Sequence, residues 1–473
     1  MGLRKRKRDK SAKACRNTSW KFSETTGSKK VAVAPENSIV IVEPFFGGSH
    51  KQLIELLQLE IFQPESRRVF LLTLPATKWH WRMRCSALYF ADLAPTLCSN
   101  RQYIFFCSSM FDLSTFLSLR HDYANSKVRK IIYFHENQLA YPTRQDDYFK
   151  REFRDFQYGY IQILSSLVAD RVCFNSNFNR QSFLDGIHAH FKNLPKNQKM
   201  AKGSIENKIY AKSEVLYYPI QEGKFGAEKL SYSAPSGTEQ EKPLHILWNH
   251  RWEHDKNPRG FFETICRLVD EAGVLLHISV VGESFGEIPA IFDEYKRMFE
   301  LEYSERLRIE NWGYVESKDS YFHILRDADI VVSTSHHEFF GVSVLEAVLY
   351  DCFPLVPNRL VYPEIYGEVP EFLYNTDNQL FKKLKNFCVR PNRFRRQKYE
   401  ILHDKFKIDQ YLWDTCGSGE SGSTHSILRS RYQALFDVVP NTETTVCCLH
   451  RYTILGIAGI IVLTAWFSYA FFF

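Results

Sequence analysis

From residue 39 onward, short continuous runs of Val, Ile, Leu and Phe alternate with longer stretches of helical apolar spacing. The runs at 39–42, 69–74, 103–106, 131–134, 171–174 and 215–217 predict strands, with helices over 51–61 and 148–169 among them. Runs without polar alternation belong to strands covered on both faces, and strand–helix alternation builds a parallel sheet. Residues 221–243 interrupt the pattern with Ser231, Ser233, Pro235, Ser236 and Gly237, and read as a linker. The pattern restarts with strands at 244–248, 275–281, 308–311 and 330–333 and helices over 258–270, 317–326 and 342–350. The expectation is an α/β chain of two doubly wound domains, 38–220 and 244–440, facing across a ligand crevice at the carboxyl ends of their strands.

Charge changes the picture at the amino end. The first 30 residues hold eleven Lys and Arg against Asp9 and Glu24, so the formal +7 of the chain comes from this segment and the rest is slightly acidic. Residues 1–37 therefore read as a disordered basic arm: a solvated tail, a nuclear-import signal or a nucleic-acid arm. Eleven cysteines without a C-x-x-C pair, several in apolar runs, favour a reducing compartment over a disulfide framework. The arm is followed by no apolar signal core, so secretion is not supported and a cytoplasmic protein, with a nuclear pool open to it, is expected. Residues 452–473 carry no charge and are long enough to cross a bilayer, for which about 20 apolar residues suffice. They read as a membrane tail anchor with the folded body on the cytoplasmic side, or as an apolar extension that never inserts. Cys447 and Cys448 just before it are ordinary thiols or palmitoylation sites.

The chemistry-bearing residues cluster after strands. Glu338-Phe-Phe-Gly-Val-Ser-Val-Leu-Glu346 follows one strand and opens a helix, placing its two carboxylates on nearly one face. Gly341 permits close backbone approach, and the N–H groups from Phe340 through Val342 to Ser343 are expected to point at an anion or a sugar oxygen. Arg251 and Lys256 follow the first strand of the same domain, in Asn249-His-Arg-Trp-Glu-His-Asp-Lys-Asn-Pro258. A fixed guanidinium and ammonium there suit a departing diphosphate, on which charge grows as the bond to the sugar breaks. Phe46-Gly47-Gly48-Ser49-His50 starts a helix after the first strand and can approach phosphate from the other domain. His250 and His254 lack the carboxylate or thiol companions of a zinc site, so no metal is expected.

Arg251 and Lys256 with the Glu338/Glu346 spacing resemble the donor site of retaining GT-B glycosyltransferases, whose two Rossmann-like domains face each other. That resemblance implies that Arg251 and Lys256 hold the donor diphosphate, Glu346 the ribose and Glu338 the transferred sugar, without metal or other cofactor. Lys78-Trp-His-Trp-Arg-Met-Arg84, Phe134-His-Glu-Asn-Gln-Leu139 and His336-His-Glu-Phe-Phe-Gly341 add a closer likeness. Together with the Arg251–Lys256 segment they resemble the tRNA-queuosine mannosyltransferases, over about 39–437. This resemblance implies GDP-mannose as donor and, as acceptor, the cyclopentenediol hydroxyl of queuosine at the wobble position of an aspartate tRNA. His135, at a strand end facing the crevice, is either a satisfied core histidine or a polar contact to sugar or acceptor.

Two segments are candidates for tRNA. Lys382, Lys383, Lys385, Arg390, Arg393, Arg395, Arg396 and Lys398 have no acid among them, with Phe387, Phe394 and Tyr399 interleaved; a solvated helix face is the alternative. The loop bearing Trp79, Trp81, Arg82 and Arg84 can stack on a base or merely pack. Competing readings are a membrane mannosyltransferase acting on a lipid-linked glycan and a non-catalytic scaffold binding nucleotide sugar or RNA.

Overall fold

The computed structural model describes residues 33–62, 68–140, 156–192, 194–221, 242–284, 288–413 and 427–437. The amino-terminal half runs β1 (Ile39–Phe46), α1 (Gly48–Glu60), β2 (Val69–Pro75), α2 (Trp79–Leu93), β3 (Tyr103–Ser108), α3 (Leu113–Leu119), β4 (Val128–Phe134), α4 (Phe156–Val168), β5 (Arg171–Phe174), α5 (Asn177–His190), α6 (Ser204–Tyr210) and β6 (Ser213–Val215). The second half runs β7 (Leu244–Trp248), α7 (Pro258–Asp270), β8 (Leu276–Val281), α8 (Ile291–Glu302), β9 (Leu307–Gly313), α9 (Lys318–Asp327), β10 (Ile330–Val332), α10 (Val342–Leu349), β11 (Phe353–Pro357), α11 (Tyr362–Tyr366), β12 (Leu373–Tyr374), α12 (Asp377–Val389), α13 (Pro391–Asp404) and α14 (Ile427–Phe436).

Each half is a six-stranded sheet, ordered β2-β1-β3-β4-β5-β6 and β12-β11-β10-β7-β8-β9, with these strands paired in parallel throughout. Strand order reverses beside β1 and beside β7, so both sheets open a crevice at the carboxyl ends of those strands. β3, β7 and β11 are buried along their whole length, as uninterrupted apolar runs require. Pro258 occupies the first position of α7 behind an Asn257 cap that accepts from Gly260 N–H, which fixes where that helix begins.

Several boundaries differ from the sequence pattern. The folded domain begins by Val33, because Ala34 N–H bonds Thr96 O and the Tyr103 hydroxyl donates to Ala34 O. Residues 33–37 thus leave the predicted arm. Trp79–Leu93 is a helix rather than a loop. The last helix, α14, crosses back onto the amino-terminal domain: Tyr432 donates to Tyr217 O, Arg429 pairs with Glu60, and Phe436 packs on Phe62 and Phe106. Its residues therefore brace the first sheet, although they follow the second domain in sequence. Among the described residues no helix is long and apolar enough to cross a membrane, and the predicted anchor at 452–473 lies outside them, as do 1–32 and most of the linker at 221–243.

Candidate active site

The carboxyl rim of the second sheet gathers the predicted donor residues. Lys256, 5% exposed, donates to His337 O at 2.7 Å and to Glu338 Oε2 at 3.1 Å. The other oxygen of Glu338 accepts from the N–H groups of Phe339 (3.1 Å), Phe340 (3.4 Å) and Gly341 (3.1 Å). Burial alone would raise the Glu338 carboxyl, but Lys256, His250 and these hydrogen bonds hold it down at about 2, so it stays an anion. This corrects one expectation: the N–H groups of Phe340 and Gly341 are engaged by Glu338, and the Phe340 ring is buried against Tyr217 and Tyr218. The open donors of the α10 amino end narrow to Val342 and Ser343, which follow the left-handed Gly341 (φ +80°).

Glu346 sits in the second turn of α10. Burial pushes its carboxyl up to about 7, with Lys318 and the Tyr321 hydroxyl, 3.3 Å away, pulling the other way. Asn249 ties this corner together by donating to the Tyr321 hydroxyl at 3.1 Å and to Ser343 O at 2.7 Å. Among the described residues, Asn249 Oδ1 and His250 Nε2 are buried without a hydrogen-bond partner. Such atoms mark where polar groups of a ligand would bond. Arg251 is about one-third exposed and faces Glu253 at 3.4 Å. Burial, with Lys256 next, lowers both His250 and His337 to about 4, which keeps the imidazoles neutral beside the ammonium.

The facing wall is the carboxyl rim of the first sheet. Gly47 caps α1, and a Cβ there would come within 2.5 Å of the Ala76 side chain, so packing against the turn after β2 already demands glycine. Gly48 takes a left-handed φ of +49°. His50 and His135 are stacked beside the buried Glu43. The walls touch where Ser176 donates to Phe339 O at 2.7 Å and where Glu364 of α11 accepts both amino-end N–H groups of α5, Asn177 (2.8 Å) and Phe178 (2.7 Å). Sequence reasoning missed Asn249, Tyr321, Ser176, Glu364 and the Glu43–His50 pair. Asn249 and His50 stood inside quoted motifs, whereas Ser176 and Glu364 are functional only through a contact between domains.

The two tRNA candidates part company. Trp79 and Trp81 begin α2, just past the carboxyl end of β2: Trp79 stacks on His80 (3.7 Å), Arg84 lies over Tyr158, and Trp81 is 63% exposed. The Arg82 Nε donates to Thr77 O. The basic stretch of α12 and α13 differs from expectation. Arg395 is bonded to both oxygens of Asp329 (2.9 and 2.8 Å) and to Lys242 O and Pro243 O, at the amino ends of β10 and β7, the end of the sheet away from the crevice. Phe387 and Phe394 stack on each other and meet Phe353 edge-on, so the half-buried Phe387 and the buried Phe394 are spent on packing. Lys382, Arg393 and Arg396 remain exposed.

Two facing parallel α/β domains, with cations and carboxylates gathered on one rim of the crevice, define a glycosyltransferase of GT-B architecture. Solved structures agree on the fold: a trehalose-6-phosphate synthase studied with bisubstrate glycomimetics (TM-score 0.53, 11% identity, 85% of this chain and 100% of that one) and the N-terminal domain of Candida albicans trehalose-6-phosphate phosphatase (TM-score 0.51, 11% identity, 81% and 96%). Residues 38–220 match the family model described as tRNA-queuosine alpha-mannosyltransferase N-terminal. The Drosophila melanogaster tRNA-queuosine alpha-mannosyltransferase is 43% identical over 376 residues, 79% of this chain and 92% of the relative. The chain belongs to the tRNA-queuosine alpha-mannosyltransferase family.

Proposed function

We propose that the protein transfers mannose from GDP-mannose onto the cyclopentenediol hydroxyl of queuosine, at the wobble position of an aspartate tRNA, with retention at the anomeric carbon. The observation that supports it most is the convergence of Arg251, Lys256, Glu338 and Glu346 around unpartnered buried polar atoms at one sheet rim. Arg251 and Lys256 take the diphosphate, with the Val342 and Ser343 N–H groups beside them. Glu346 accepts from the ribose hydroxyls, and Glu338 from a hydroxyl of the sugar through the oxygen now facing Lys256. As the anomeric C–O bond breaks, the electron pair leaves with the diphosphate, on which the cations act more strongly in the transition state than in the ground state. The acceptor hydroxyl arrives on the same face, and its proton passes to the departing phosphate. No metal enters this reading, because Lys256 and Arg251 supply the charge that a metal would.

The anticodon loop would approach along the first turn of α2, where Trp81 offers an exposed ring between cations. The reaction is assigned to the cytosolic face, with residues 452–473 as a tether to a membrane. Equilibrium binding of GDP-mannose in the presence of a chelator tests the donor site. Binding that weakens markedly in Arg251→Ala supports it. Binding only after divalent metal is added would overturn the metal-free reading, and unchanged affinity in Arg251→Ala would overturn the diphosphate assignment.

A further inference from the structure

Three side chains of the first domain form a packed unit to which the donor reading gives no work. Glu43 is 1% exposed. One of its oxygens accepts from Phe45 N–H at 2.8 Å and from the Ser108 hydroxyl at 3.0 Å, and the other meets His50 Nδ1 at 3.0 Å. With His50 Nδ1 donating, the carboxylate accepts at both of its oxygens. The His50 ring then lies on the face of His135, with centroids 3.9 Å and planes 22° apart. The edge of Tyr133, 4.9 Å away, closes His135 from another side. The His135 ring makes no hydrogen bond among the described residues, although its carbonyl accepts from Asn175 at 2.7 Å. Its ring plane is therefore set by stacking.

The ligand atoms of the three lie within 4.8 Å of one another, yet they do not make a metal cradle. The lone pairs of near-parallel stacked rings run side by side, and both Glu43 oxygens are already bonded. The arrangement instead separates charge. Two imidazolium rings in face contact repel, so at most one of them takes up the second proton and becomes charged. The titratable groups around the pair are Glu43 of β1, Cys107 of β3, Tyr133 and Glu136 at the end of β4, Tyr218 after β6, and Arg251 from the opposite wall. Burial holds the Cys107 thiol and the two phenols neutral. Burial would lower His50, but Glu43, with Glu136 assisting and Arg251 opposing, raises it. Burial and the neighbouring His50 push His135 well down.

We propose that Glu43 and His50 are positioning residues for the transfer: the carboxylate orients the His50 ring, and the His50 face fixes His135 as a neutral imidazole for a hydroxyl of the sugar being moved. This rests on the glycosyltransferase reading above, and the two can fail separately. His50 does its part while charged, so the contribution is present below its pKa and is lost as pH rises through that value.

Full-length protein labelled at histidine Cε1 is titrated by NMR, wild type against Glu43→Gln. Expected is a His50 titration above that of His135, falling by about one unit or more in the variant. A His50 that titrates below His135 in the wild type, or is unmoved by Glu43→Gln, overturns the proposal. In the transfer assay, Glu43→Gln should lower kcat about tenfold to a hundredfold with the donor KM little changed, as expected for misplaced reacting groups. It should also move the alkaline limb of the pH profile to lower pH, and Glu43→Asp should restore part of the rate. A lower kcat with an unmoved limb reduces Glu43 to a structural residue. If the wild type transfers no mannose, the function reading fails, and the NMR titration still decides the charge arrangement of the pair.

Discussion

At opposite ends of one parallel sheet sit two ion pairs made of similar parts. At the amino end, Arg395 grips Asp329, every partner belongs to the fold, and Asp329 also accepts from His245 N–H. At the carboxyl end, Lys256 meets Glu338 in a setting where Asn249 Oδ1 and His250 Nε2 have no partner among the described residues. The first pair closes the domain on itself, and the second lies beside buried polar atoms left unpaired among the described residues. A basic residue therefore means little by its type or by the company it keeps in sequence. The end of the strand it follows, and whether its neighbours are satisfied, tell structure from site.

Removing each cation should break the likeness between the pairs. Lys256→Ala should reduce transfer by about a hundredfold to a thousandfold or more, as loss of a fixed charge at a developing anion does. It should also lose about 3–5 kcal/mol of stability, because Glu338 is left as a buried unpaired charge. Native circular dichroism with wild-type turnover would refute the donor assignment. Arg395→Ala should lose stability of the same order in a urea melt while kcat and KM stay unchanged. A selective loss of turnover there would return the rear of the domain to the site.

Glu346 sharpens the contrast through pH. With its carboxyl at about 7, it is ionised above that value and protonated below it, and only the ionised form accepts from both ribose hydroxyls. GDP-mannose affinity should fall about tenfold between pH 8 and pH 6, following the ionised fraction. Glu346→Gln should bind weakly and flatten that dependence, which isothermal titration at several pH values reads directly. The smallest effect concerns RNA. Trp81→Ala should raise the tRNA KM about tenfold, the scale of one lost stacked base. Joint replacement of Lys382, Arg393 and Arg396 by Ala should change it about twofold or less at physiological salt, because long-range charge is screened there. The reverse order would move the acceptor path to the back of the molecule.

Much of this was legible because the relevant signals are local. Strand runs such as 171–174 and 244–248 coincide with the observed strands, since apolar continuity over a buried parallel strand is a short-range pattern. The Pro258 start of α7 was legible for the same reason. Arg251, Lys256, Glu338 and Glu346 were singled out by their spacing after strands, and the structure brings Lys256 and Glu338 into contact. The strands β11 and β12 were missed: prolines interrupt the apolar run of the first, and the second spans two residues. The fate of Phe394 and Arg395 depended on which face of α13 packs inward, and the bracing by α14 on which domain it returns to. Neither is encoded within a single segment. The same holds for the stacked His50 and His135, which are 85 residues apart and meet only because β1 and β4 share a sheet.

The most direct test of the account is transfer of radiolabelled mannose from GDP-mannose by the full-length protein to queuosine-containing and queuosine-lacking aspartate tRNA. The account predicts label on the queuosine-containing tRNA alone, lost in Lys256→Ala and kept in Arg395→Ala. Label on neither tRNA, from protein that still binds GDP-mannose, would contradict it.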